Sequence, residues 1–154
     1  MRAALNDVAR CVGERCRGSV ARDANTREVT VGISVQEVDF VAVPTTDIDR
    51  AVAFYGETLG LEHRVQWGQR PAHEFQAGNL TLALMQCDAF NAEFSPNATP
   101  IALRVADVAA ARAELEASGV VFEADTLDSG VCHMAFFSDP DGNPLILHRR
   151  YAPA

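Results

Sequence analysis

Apolar and polar residues recur along this chain in a repeated order. Phe40-Val41-Ala42-Val43 is followed by Asp47-Ile48, and Pro100-Ile101-Ala102-Leu103 is followed by Asp107-Val108, each a constant 60 residues later. Each apolar run predicts a strand. The segment after it has helical spacing: Ile48, Ala51, Val52, Tyr55 and Leu59 fall on one face, and Gly60 and Gly119 close the two helices. Thr46 or Asp47 can cap the first helix, with Asp49 adding negative charge to its first turn. Alternating segments then predict strands near 61–67, 72–77 and 79–86 in the first copy, and near 120–123, 131–138 and 143–149 in the second. Asp139-Pro140-Asp141-Gly142-Asn143 is dense in turn formers and joins the last two strands as a hairpin; Gly78-Asn79 is its fainter counterpart.

A strand–helix–strands unit alone leaves an apolar sheet face uncovered, so the repeat predicts two units packed together. The expected class is α+β: two βαβββ modules, about 38–86 and 100–150, whose sheets curve around a cavity with the helices outside. Residues 87–98 read as the linker and 151–154 as a tail. Residues 1–37 read as an extension. Leu5, Val8 and Val12 have helical spacing, and Val29, Val31, Ile33 and Val35 alternate as a strand does; upstream sequence that barely folds is the alternative.

Composition narrows the chemistry. The 154 residues are 48% hydrophobic with a formal net charge of −8, which suits one globular domain and sets aside nucleic acid and anionic membrane as partners. All 13 basic residues are arginine, so no lysine is present for Schiff-base chemistry. Cys11, Cys16, Cys87 and Cys132 form no CxxC pair and read as free thiols. No run is long enough to span a membrane, and the first residues lack a secretory apolar core. The expected location is therefore cytoplasmic. No nucleophile elbow, phosphate loop or dinucleotide fingerprint occurs.

Asp39-Phe40-Val41-Ala42-Val43, then Asp47 to Tyr55, then Thr58-Leu59-Gly60-Leu61, resembles the opening of a vicinal oxygen chelate module. Asp139 to Pro144 resembles the hairpin that closes that family's second module. The family includes glyoxalase I, extradiol dioxygenases and the bleomycin-resistance binding proteins. The resemblance implies paired βαβββ modules, a homodimer, and a divalent metal held by His and Glu. Carried over, the four ligand positions fall at Phe40, Ala83, Pro100 and Ile146. None of these side chains offers a lone pair to a metal. The expectation is therefore a member without metal or other cofactor, binding a small apolar or aromatic molecule between modules or at a dimer interface.

Strand alternation puts Ala42 beside Phe40, Thr81 and Met85 beside Ala83, and His148 beside Ile146 on the cavity face. Leu80, Leu82, Leu84, Leu145 and Leu147 then point under the helices. Phe40, Trp67, Phe75, Met85 and Ile146 are the expected walls. Arg104 shares parity with Pro100 and would place a cation at the rim. His73 and Glu74, as strand neighbours, point to opposite faces. The alternative function is a lyase, isomerase or dioxygenase of the same superfamily with relocated metal ligands, in which His133 or His148 takes part and the two can pair across the last hairpin. Ligand identity and catalysis stay open at this level.

Overall fold

The computed structural model describes residues 34–153, so the helix expected in the 1–37 extension and its strand up to Ile33 lie outside the described residues; Val35, at that strand's end, is 70% exposed and in no strand. Every element among the described residues falls in the unit Gln36–Ala154. The first module runs β1 (Val41–Thr45), α1 (Ile48–Ala53), β2 (Glu62–Gln66), β3 (Ala72–Ala77) and β4 (Leu80–Gln86). The second runs β5 (Ile101–Arg104), α2 (Val108–Ala117), β6 (Leu127–Asp128), β7 (Cys132–Ser138) and β8 (Pro144–Arg150). The fold is α+β, with one four-stranded mixed sheet per module in the orders β1-β4-β3-β2 and β5-β8-β7-β6. The two orders are the same, as a repeat demands.

Local chemistry sets the boundaries. Asp47 and Asp107 are both N-caps, their carboxylates accepting from the N–H of Arg50 at 3.1 Å and Ala110 at 2.9 Å. The first helix does not continue as an α-helix to its glycine. It widens into a π-helical turn, Phe54–Thr58, which carries buried Phe54 and Tyr55. The strand expected at 120–123 is absent: only Phe122 bridges to Phe137, and the edge strand forms instead at Leu127–Asp128. Val121 is 82% exposed, so this segment fills no sheet position buried on both faces.

Cross-strand pairing separates two faces in each sheet. Val43, Leu84, Leu82 and Phe75 share the helix-covered face of the first, and Leu103, Leu147 and Ala135 that of the second. Val43, Tyr55, Phe75, Leu84, Leu115, Phe137 and Leu147 belong to one buried cluster spanning both modules. The modules thus share a single core. Between them runs a groove of about 690 Å³, with Leu61 and Leu80 on one side and Leu103 and Leu115 on the other.

The Asp139–Asn143 loop does more than turn. The Tyr55 hydroxyl donates to Asp139 Oδ2 at 3.0 Å, and the Asp141 carboxylate accepts from Thr45 Oγ1 at 2.7 Å, from Thr46, and from Arg50 at 2.8 Å. Asn143 Nδ2 donates to the Pro44 carbonyl at 2.8 Å, and Asn143 Oδ1 accepts from the Asn97 N–H at 2.9 Å. Asp139 Oδ1 takes the loop's own Asp141 and Asn143 N–H groups. Gly142, at φ 87°, lets the chain reverse in the left-handed region where a side chain is disfavoured. The loop is a clasp that fastens the second module to the β1–α1 junction of the first. Among the described residues no buried side-chain polar atom lacks a partner.

Candidate functional site

The face of each sheet away from its helix carries the side chains of interest. Cα pairing places Ala42, Ala83, Glu74 and Val65 in one row across the first sheet, with Pro44, Met85 and Ala72 in the next. Trp67, whose N–H donates to the Ala72 carbonyl at 3.0 Å, extends that second row. In the second sheet Ala102, Ile146 and Phe136 form one row, and Arg104, His148, Met134 and Leu127 the next. Phe40, Trp67, Ala83 and Met85 thus meet on one face, and Arg104, Ile146 and His148 on the other. Pro100 is exposed and precedes β5 with the parity of Ala102.

These faces are open. Ala42, Ala102 and Arg104 are exposed, and Phe40 is 42% exposed. The two sheets do not wrap one closed cavity within the described residues.

Two expected site residues lie elsewhere. Phe75 pairs with Leu82, is 1% exposed, and packs on the Tyr55 ring at 6.4 Å in the shared core. It is no wall. The two-residue turn Gly78-Asn79 pairs Ala77 with Leu80 and so fixes this register, a signal present in the sequence. His133 pairs with Arg149, whereas His148 pairs with Met134, so the two histidines occupy opposite faces and cannot share a metal. His133 instead lies 3.5 Å from Asp128, with the Tyr151 ring at 4.9 Å. Hydrogen bonds from the Tyr151 hydroxyl and the Gly130 N–H hold the Asp128 carboxyl below its usual range.

The first open face is aromatic with one carboxylate at its centre. Trp67 Nε1 donates to Glu74 Oε1 at 2.7 Å. The Phe40 and Phe90 rings stand edge-wise to the indole, 5.8 Å and 6.4 Å away at 71° and 84°, and the Arg70 guanidinium lies 5.9 Å over Phe90. Glu74 is the residue that sequence reasoning passed over. Cross-strand pairing to Ala83 brings it beside the carried-over ligand position.

The family's metal does not fit these residues. Phe40, Ala83, Pro100 and Ile146 carry no donor atom, and among the described residues no three His, Cys, Asp or Glu side chains converge on a cation site. A histidine pair does exist elsewhere: His63 Nε2 and His73 Nδ1 lie 3.0 Å apart on the helix-covered side. Partial burial, then neighbouring His63, hold the His73 imidazole below its usual value against the pull of Asp49.

Comparison with known proteins agrees with this architecture. No curated protein matches the chain. An antibiotic-binding protein from Streptomyces has 27% identity and a TM-score of 0.65, over 78% of this chain and 100% of its own. A glyoxalase family protein from Bacillus anthracis has 25% identity and a TM-score of 0.65, over 78% and 99%. A lactoylglutathione lyase from Agrobacterium tumefaciens, at 20% identity and a TM-score of 0.60 over 74% and 93%, shares the fold. The family model of the glyoxalase/bleomycin resistance protein/dioxygenase superfamily matches residues 37–147, and the chain belongs to that superfamily.

Proposed function

We propose that the protein binds a small, largely apolar or aromatic molecule on its open sheet faces, without the family's metal. One observation carries this reading: all four carried-over ligand positions, Phe40, Ala83, Pro100 and Ile146, lack a lone pair, while Phe40 stands against the Trp67 ring and Phe136 pairs with Ile146. Removing the Lewis acid removes the family's means of polarising vicinal oxygens and leaves burial as the function. The 27% identity to an antibiotic-binding protein supports the same direction.

Exposed Ala42 and Ala102 mean that one face alone cannot enclose a ligand. A homodimer that sets the first module's face of one copy against the second module's face of the other supplies the missing wall.

The test is elemental analysis of protein purified without chelator, with light scattering for mass and titration of planar aromatic compounds. Substoichiometric metal, a dimer, and saturable quenching of Trp67, the chain's single tryptophan, are expected. One tightly held metal per chain with turnover of a glyoxalase-type substrate would sink the proposal. The 690 Å³ inter-module groove favours a second site within one chain. A ligand there leaves Trp67 unquenched and is lost in Leu103→Arg.

A further inference from the structure

The first module's open face has a charge character that names a ligand class. We infer that its ligand is a planar organic cation, stacked in the Trp67 corner with its positive charge on Glu74; this rests on the ligand-binding reading above. The Glu74 carboxylate lies in a half-buried, apolar row, flanked by Ala83 and Val65. Its one side-chain partner among the described residues is a neutral indole N–H, and no salt bridge reaches it there. A carboxylate has about four acceptor positions, so most of its capacity is unused. A charge set among apolar groups is stabilised by an opposite charge that displaces water.

The rings around it favour the same sign. Aromatic faces carry negative quadrupole density, and indole is the strongest of them for a cation. Trp67 is fixed in place by its bond to Glu74, with Phe40 and Phe90 standing at 71° and 84° to it. The chain already places one cation here, since Arg70 lies over Phe90 at 5.9 Å. Arg70 leaves Glu74 unpaired. Glu62, paired across to Gln76, adds a second carboxylate to this face, although it is bonded to Arg64 at 3.0 Å. An anion against the indole would meet the Glu74 carboxylate, which no described cation neutralises. The net charge of −8 draws cations toward the whole molecule.

Three ring systems of equal size separate charge from shape: 10-methylacridinium, neutral acridine and acridine-9-carboxylate. Each is titrated at pH 7.5 into the full chain with Trp67 fluorescence as the readout. The cation should bind about tenfold tighter than acridine, and the anion weakest. Glu74→Gln should weaken the cation about tenfold and move acridine by less than about twofold. Equal binding of all three, or a cation affinity indifferent to Glu74→Gln, overturns the inference while an aromatic site survives. Quenching by none of them overturns the ligand-binding reading on this face as well. Should Glu74→Gln not fold, salt decides: added sodium chloride should weaken methylacridinium and spare acridine, and a salt-independent cation affinity overturns the inference.

Discussion

Replacing Asn143 by alanine should loosen the clasp between the two modules. The side chain is 2% exposed and makes three hydrogen bonds, to the Asp139 carboxylate at 2.7 Å, the Pro44 carbonyl at 2.8 Å and the Asn97 N–H at 2.9 Å. A bond to a charged group is worth about 1.5–3 kcal/mol and a neutral one about 0.5–1.5 kcal/mol, so the loss should be about 3–5 kcal/mol. For a chain of this size that lowers the melting temperature by about 10 °C. Tyr55→Phe removes one bond to Asp139, whose carboxylate keeps three other donors, and should cost about 1.5 kcal/mol. Both side chains donate to Asp139 Oδ2, so the double variant strips that oxygen and should lose more than the two single losses together. Urea unfolding at fixed protein concentration and neutral pH measures all three. An Asn143→Ala loss below about 1 kcal/mol, or strict additivity, would refute the view that this loop fastens the modules.

The same geometry sets three further outcomes. Phe75→Ala should cost about 3–5 kcal/mol by opening a core cavity, whereas Trp67→Ala should cost less stability and abolish the ligand-induced thermal shift. Burial pushes the Asp141 carboxyl up, but hydrogen bonds from Thr45 and Thr46, with Arg50 beside them, hold it below the ordinary carboxylate value. Its stabilisation is therefore present above that value and lost as pH falls from it through the lower value of the folded chain, and Asp141→Asn should flatten the acid limb of the stability curve. The His73 imidazole is depressed, so the unfolded chain takes up that proton first below about pH 6.5 and stability falls as pH drops. His63→Gln should raise the His73 pKa toward its ordinary value in an NMR titration.

The repeat, the two caps and the inward leucines were legible because periodicity and capping are local. The helix start at Asp47, the glycine ends and the parity of Leu82, Leu84, Leu145 and Leu147 needed no knowledge of distant residues. Phe75 went astray because Trp67 and Phe75 sit on either side of the irregular stretch 68–71, where parity cannot be counted through; the Gly78-Asn79 turn on the far side of Phe75 held the answer. The β2 bulge between His63 and Val65 hides the same information from the opposite direction. His133 was placed by a hairpin register that the length of the Asp139–Asn143 loop decides. The roles of that loop's side chains depend on partners more than eighty residues away, as Tyr55 to Asp139 is, and no local pattern records them.

The long reach of the clasp also bears on how the chain is made. On a ribosome the first module is complete at Gln86, while Asp139 is polymerised 53 residues later. At about 5–20 residues per second, that interval lasts roughly 3–10 s, far longer than a small domain needs to collapse. Throughout it Tyr55, Thr45 and the first module's side of the shared core have no mate. The nascent first module is thus a sticky half-protein awaiting its twin. Pairing with a neighbouring nascent copy through that surface is the failure that synthesis of this chain must outrun.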